Sequence, residues 1–161
     1  MNDYTIPTQT SIGHVHLKVA DLERALDFYC GVLGFELTMR YGSDAAFISA
    51  GGYHHHIGLN TWYSENSPPA DTYVVGLFHT AILLPTRKNL AELLKRLLDL
   101  NYPLSGASDH GVSEAIYLND PDGNGVELYW DKPKEEWPVK ADGGLDMYTN
   151  ALDLDALLQL A

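Results

Sequence analysis

The sequence predicts an α+β fold: tandem βαβββ modules whose strands join in one curved eight-stranded sheet around a cleft. Three observations predict it. The order strand, helix, strand, strand, strand reads twice along the chain; each first strand carries a histidine near its start, His14 and His79; and a Pro- and Ser-containing stretch separates the two readings. One such module has too little strand to cover its own core, and packing two edge to edge supplies the missing surface. The expected boundaries are 8–64 for the first module, 65–76 for a linker, 77–131 for the second module and 132–161 for a C-terminal tail with a short helix.

In the first module, residues 12–19 alternate, with Val15, Leu17 and Val19 on one face and His14, His16 and Lys18 on the other. Asp21 is a good N-cap residue. Leu22, Ala25, Leu26 and Tyr29 follow at helical spacing, and Gly31 and Gly34 punctuate the end. Short strands are expected at 35–40, 45–49 and 57–62. The second module opens with a strand at 78–84. A helix then begins at Asn89, with Glu92 as its capping-box partner and Leu90, Leu93, Leu94, Leu97 and Leu98 as its apolar stripe. Strands at 102–105, 115–118 and 126–130 follow, the last two joined by the tight turn from Asn119 to Gly125. In the tail, Leu152, Leu154, Leu157 and Leu158 predict a short amphipathic helix docked on the body.

Composition narrows the function. The 161 residues carry 22 acidic against 10 basic side chains, a formal charge of −12 with no Lys/Arg cluster, which argues against nucleic acid and anionic membranes as partners. Cys30 is the only cysteine, so an intrachain disulfide and a thiolate metal site are excluded. No stretch is long and apolar enough to span a membrane, and residues 1–11 lack the apolar core of a signal peptide; a reducing cytoplasm is the expectation. Exposed sheet edges leave room for pairing into a homo-oligomer.

The stretch from Gly51 to Trp62 holds three consecutive histidines, His54, His55 and His56, leading into an apolar strand. Alone it reads equally well as a surface histidine cluster. Its weight comes from residues elsewhere. With His14 and His79 on equivalent first strands and Glu127 on the last strand of the second module, two imidazoles and one carboxylate meet in the cleft. Two histidines and a carboxylate on one face of an octahedral ion leave positions open for substrate and dioxygen, the pattern of non-haem Fe(II) sites. Either histidine alone is more often a satisfied core residue. Glu127 between Val126 and Leu128 is harder to dismiss, because a buried unpaired carboxylate is costly.

Over residues 10–131 the chain resembles the vicinal oxygen chelate (VOC) superfamily, and within it the type I extradiol ring-cleaving dioxygenases of the catechol 2,3-dioxygenase kind. The resemblance is carried by Gly13-His14, by the helix from Asp21 to Tyr29 with Leu33-Gly34-Phe35, by His54-His55-His56-Ile57-Gly58-Leu59, by Phe78-His79, His110 and Tyr117, and by Asn124 to Glu127. It implies His14, His79 and Glu127 as ligands of Fe(II), donors that Mn(II) also accepts. His55 matches a histidine assisting dioxygen activation and proton transfer. His110 and Tyr117 match the pair hydrogen-bonded to the catechol oxygens. The substrates implied are a small aromatic diol and dioxygen, and the setting is aromatic compound catabolism. Many relatives have two domains with an inactive N-terminal half, whereas this single repeat pair bears the ligand residues, the layout of the small one-domain dioxygenases. His16 shares a strand face with His14, which makes it a candidate substrate contact or competing ligand; His56 is a further histidine near the site.

The same residues admit two rival functions. A glyoxalase- or epimerase-like isomerase or lyase of the same superfamily usually places a carboxylate or amide ligand, or a base, on the last strand of the first module. Residues 54–62 contain no carboxylate. A non-catalytic small-molecule binding module tends to lack the ligand set that is complete here. Phe47, Tyr53, Trp62, Tyr63 and Tyr117 are candidates for an aromatic pocket, though most such residues are simply core.

Overall fold

The computed structural model describes residues 3–69, 71 and 73–161; Ala70 and Thr72 of the expected linker, and Met1 and Asn2, lie outside the described residues. In the first half, β1 (Val15–Lys18) is followed by α1 (Leu22–Leu26), capped by Asp21, whose side chain accepts from the Arg24 amide. The helix continues as a π-helical turn, Asp27–Val32, in which the Leu33 amide reaches back to the Phe28 carbonyl at 3.0 Å. Gly34, at φ +89°, then turns the chain into β2 (Glu36–Tyr41), β3 (Ala45–Ser49) and β4 (Ile57–Asn60). The second half repeats the order with β5 (His79–Leu83), α2 (Arg87–Asp99), β6 (Leu104–Asp109), β7 (Ser113–Asn119) and β8 (Gly125–Asp131). The tail adds β9 (Asn150–Ala151) and α3 (Leu154–Leu158).

The eight expected strands lie in two mixed sheets rather than one continuous sheet. Among the described residues these are β1-β4-β3-β2 and β5-β8-β7-β6-β9. The first four strands of each follow the same spatial order, and β2–β3 and β6–β7 share a register shift at matching places, Leu37/Met39 and Leu104/Gly106. Among the described residues β1 and β5 are both edge strands with no ladder between them, so the two sheets stay separate. Three other expectations shift in detail. The second helix starts at Arg87 with Thr86 as its N-cap, not at Asn89: Thr86 Oγ1 accepts from the Asn89 amide at 3.1 Å, and the Asn89 side chain donates to Glu92 inside the first turn. The strand expected at 102–105 runs instead from Leu104 to Asp109, because pairing with β7 and β9 holds Gly106 and two serines that carry no apolar signal. The tail helix is only five residues long, with the preceding stretch extended.

One core serves both halves. Leu17, Ile48 and Ile57 of the first sheet, Leu90, Leu94 and Leu97 of α2, Ile116, Val126 and Leu128 of the second sheet, and Leu157 of α3 form one buried cluster. Strand alternation sends the residues between these positions to the opposite face, which carries His14, His16, Tyr117 and Glu127. Polar contacts tie the halves together. The buried Tyr29 hydroxyl donates to Asp120 Oδ2 at 3.0 Å, while Asp122 Oδ1 accepts from Arg24 Nη2 at 2.6 Å and the Ala20 amide at 3.1 Å. Burial, with the Asp120 charge beside it, drives the Tyr29 phenol far above its ordinary value, so it remains a donor. No described helix is long and apolar enough to cross a membrane.

Candidate functional site

The second sheet assembles four of the six site residues. Parallel pairing sets His79 against Gly125 and Ala81 against Glu127, so His79 and Glu127 share a face two residues apart. Antiparallel pairing sets Tyr117 directly opposite Glu127, which is the physical content of their spacing in the sequence. Gly125 makes the approach of His79 feasible: a Cβ there would stand 2.2 Å from the Phe78 carbonyl oxygen and 3.0 Å from His79 Cβ. His79 Nε2 lies 2.8 Å from Glu127 Oε2. The Tyr117 hydroxyl donates to Glu127 Oε1 at 3.0 Å and sits 2.7 Å from His110 Nε2. Burial first, then the hydrogen bond and charge of Glu127, push the Tyr117 hydroxyl up to about 12, so it stays a neutral phenol able to donate.

The first sheet holds the other two. His14 immediately precedes β1, and its ring lies 4.4 Å from that of His55, which also packs on Phe47 at 4.9 Å. Burial and then the crowding of His14, His54, His16 and His56 hold the His55 imidazole below its ordinary value, favouring the neutral form suited to accepting a proton. His16 sits between Phe47 and Trp62, and a Cβ on Gly58 would come within 2.9 Å of its ring. Burial, followed by the His14 charge, lowers its imidazole as well. The His56 ring turns to Ser49 Oγ at 3.0 Å and the Ala50 amide, tying the loop before β4 to the end of β3. Of the expected aromatic pocket, Phe47 and Trp62 flank His16, Tyr53 packs on His54 and His56, and Tyr117 belongs to the second sheet; Tyr63 is 88% exposed and lines nothing.

A cavity of about 820 Å³ runs between the edges of β1 and β5, and both His14 and His79 line it. Most of its other walls, including Leu33, Phe35, Ile82 and Leu93, are apolar, with polar groups added by His56, Thr80 and Tyr129, and its described lining residues include no Lys, Arg, Asp or Glu. Glu127, Tyr117, His110 and His55 are not among them, so the cavity meets the site at the two histidines only. Among the described residues, no group of three or more His, Cys, Asp or Glu side chains is gathered as a metal cluster. The structure thus brings His79 and Glu127 together with Tyr117 and His110, pairs His14 with His55, and leaves the two sets on separate sheets. The donor chemistry still fits a divalent cation: an imidazole nitrogen and a carboxylate oxygen stand side by side, and a second imidazole faces the same cavity.

Residues 11–128 match the family model described as the Glyoxalase/Bleomycin resistance protein/Dioxygenase superfamily. The chain belongs to this superfamily. It is 40% identical over 161 residues to a catechol-2,3-dioxygenase of Bacillus subtilis (strain 168), covering 98% of this chain and 54% of that protein. It is 31% identical over 121 residues to biphenyl-2,3-diol 1,2-dioxygenase 3 of Rhodococcus globerulus, covering 74% of this chain and 63% of that protein. The chain therefore spans roughly half to two thirds of the length of these superfamily members. Among solved structures, a lactoylglutathione lyase from Agrobacterium tumefaciens superposes with a TM-score of 0.60 at 23% identity, over 77% of this chain and 96% of that one, a likeness of fold.

Sequence reasoning missed the tail's contribution to the candidate site. His110 Nδ1 lies 3.1 Å from the Tyr148 carbonyl and 3.3 Å from Thr149 Oγ1, and the Tyr148 amide donates to the His110 carbonyl at 3.2 Å. Lys132 bonds Asp109 Oδ1 at 2.8 Å, where the Gly111 amide also donates. The Tyr148 contacts to His110 are made by backbone groups, for which a sequence carries no signal.

Proposed function

We propose that this chain carries the site of an extradiol ring-cleaving dioxygenase: Fe(II)-dependent meta cleavage of a catechol-like aromatic diol by dioxygen. The observation that carries the reading is the hydrogen-bonded row His110–Tyr117–Glu127–His79, ending on a nitrogen and an oxygen donor. The similarity to the Bacillus subtilis catechol-2,3-dioxygenase supports the same substrate class.

In this reading His14, His79 and Glu127 hold the metal, Fe(II), with donors that Mn(II) also accepts. When bound, the ion supplies Lewis acidity that chelates and acidifies the two phenolic oxygens and a redox partner for dioxygen. The chain's own residues do the rest. Tyr117, protonated throughout the neutral range, donates to the substrate oxygen that gains charge. His110, bonded to the Tyr117 hydroxyl, passes a proton to or from it. His55, held neutral beside His14, receives a proton on the dioxygen side. The isomerase alternative is less supported, because no carboxylate stands on β4 and no Lys or Arg lines the cavity among its described residues.

The test is oxygen consumption. Protein reconstituted with Fe(II) without air and then given catechol in air is expected to take up dioxygen. Isomerisation of a hemithioacetal with no oxygen uptake would instead place the chain with the lyases of its superfamily.

A further inference from the structure

The residues read as metal ligands do not meet within one chain. His79 Nε2 and Glu127 Oε2 stand 2.8 Å apart on the second sheet, whereas His14 packs against His55 on the first. Among the described residues no group of three or more His, Cys, Asp or Glu side chains is gathered. The break falls where β1, which follows His14, and β5, which begins with His79, both end their sheets as edges without a ladder partner. The shared core and the contacts of Tyr29 with Asp120 and Arg24 with Asp122 hold the halves together elsewhere. Folded interiors hold few voids larger than a water molecule. The opening of about 820 Å³ between the two edges is therefore a surface that the chain does not cover by itself.

The residues along these edges say what covers it. Thr80 of β5 is buried and lines the opening, yet its hydroxyl has no hydrogen-bond partner among the described residues. A buried polar group left alone is costly, and a strand laid along β5 would bring backbone donors and acceptors to that edge. Ile12 and Leu77 line the same opening while remaining exposed, and Phe78 and Val75 beside Leu77 are exposed as well. Residues 4–17 and 73–86, which hold β5 and all of β1 but Lys18, contain no Asp, Glu, Lys or Arg. A formal charge of −12 makes two copies repel over most of their surfaces, so this uncharged strip is where they can touch. Each copy also brings what the other lacks, a free strand edge of the right chemistry.

We propose that a second copy of this chain completes the site: β1 of one copy pairs with β5 of the other, and His14 joins His79 and Glu127 of the partner subunit around one ion. A two-fold axis makes the exchange reciprocal, so a pair of identical sites forms and both open edges of each copy are covered. Four strands from each copy then make the curved eight-stranded sheet that neither forms alone. The inference rests on the reading of His14, His79 and Glu127 as ligands, and adds that they come from two chains.

The test mixes subunits. His14→Ala and His79→Ala chains bearing different affinity tags are co-expressed, and mixed dimers are isolated through both tags and loaded with Mn(II). In a shared site, His14 of the His79→Ala chain meets the intact His79 and Glu127 of the other chain. Mixed dimers are thus expected to hold about half the Mn(II) of unaltered dimers, although each variant alone holds none. The reciprocal mixture pairs the unaltered chain with a His14→Ala/His79→Ala chain and reads the opposite way: no Mn(II) if the site is shared, about half if each chain builds its own. Metal retained in that second mixture overturns the proposal, as does the absence of mixed dimers or of metal from the first. Unaltered protein that sediments as a monomer with Mn(II) bound overturns it too. Unaltered dimers that take up neither Mn(II) nor Fe(II) overturn the ligand reading and the shared site with it. If the mixtures behave as stated but Fe(II)-loaded protein consumes no oxygen with catechol, the shared site stands and the dioxygenase reading falls.

Discussion

Glu127 is the residue on which the two halves of the second-sheet site meet, one carboxylate oxygen bonded to His79 and the other to Tyr117. In the proposed reaction the carboxylate would help hold the metal together with His79, while its bond to Tyr117 keeps the phenol aligned. Glu127→Ala and His79→Ala are therefore expected to lose bound Fe(II), and His14→Ala likewise. Full metal content in any purified variant removes that residue from the ligand set. Tyr117→Phe should keep the metal and lose roughly 100-fold in kcat, the scale of a lost oxyanion donor. Loss of metal in Tyr117→Phe would show that the phenol builds the site rather than serving the substrate. The facing of Tyr117 and Glu127 was legible in the sequence, because strand alternation sets each between apolar neighbours, Ile116 and Leu118 or Val126 and Leu128, that are buried. The pairing of His14 with His55 was not, since it depends on how a loop folds back over the start of a strand.

The tail is the element that sequence patterning described least well. Its leucines announced a helix, but residues 146–151 contact the body mainly through backbone, and α3 is held by one fully buried side chain. Leu157→Ala should cost about 2–5 kcal/mol of stability, measured by denaturant unfolding. A change well below that range would mean the helix is not docked on α2. Acid should loosen the other anchor. Burial alone would raise the Asp109 carboxyl, but the Lys132 hydrogen bond, the Gly111 amide and the nearby positive charges outweigh it and hold it below the usual aspartate value. A carboxyl lowered by folding stabilises the folded chain above its unfolded value, and that contribution fades as pH falls through the folded one. The protein should lose thermal stability on acidification over that window, and Asp109→Asn should lose less. An unchanged slope in Asp109→Asn would dissociate this pair from tail anchoring. The start of α2 shows a milder limit of sequence reading: Thr86 and Asn89 are both good capping residues, and the choice fell to Thr86, just after Pro85.

For the whole molecule, the repeat was plain and the way the repeats meet was not. Periodicity fixes which face of each strand is buried, but nothing in it says whether two edge strands will pair. β1 and β5 do not, and the 820 Å³ cavity lies between them, with His14 on one side and His79 on the other. The halves are joined instead through the core and through Tyr29, Arg24, Asp120 and Asp122. Asp120 accepts hydrogen bonds from Tyr29, Asn124 and two backbone amides, so Asp120→Ala strands several buried donors and should destabilise the fold by about 3 kcal/mol or more. A cost below about 1 kcal/mol would mean that the apolar core alone holds the halves together. The most direct test of the function is the product formed from catechol by Fe(II)-loaded protein in air. A ferrous site built on two histidines and a carboxylate predicts cleavage beside the diol, giving a yellow hydroxymuconic semialdehyde. A colourless muconate, cut between the two hydroxyl-bearing carbons, would contradict it.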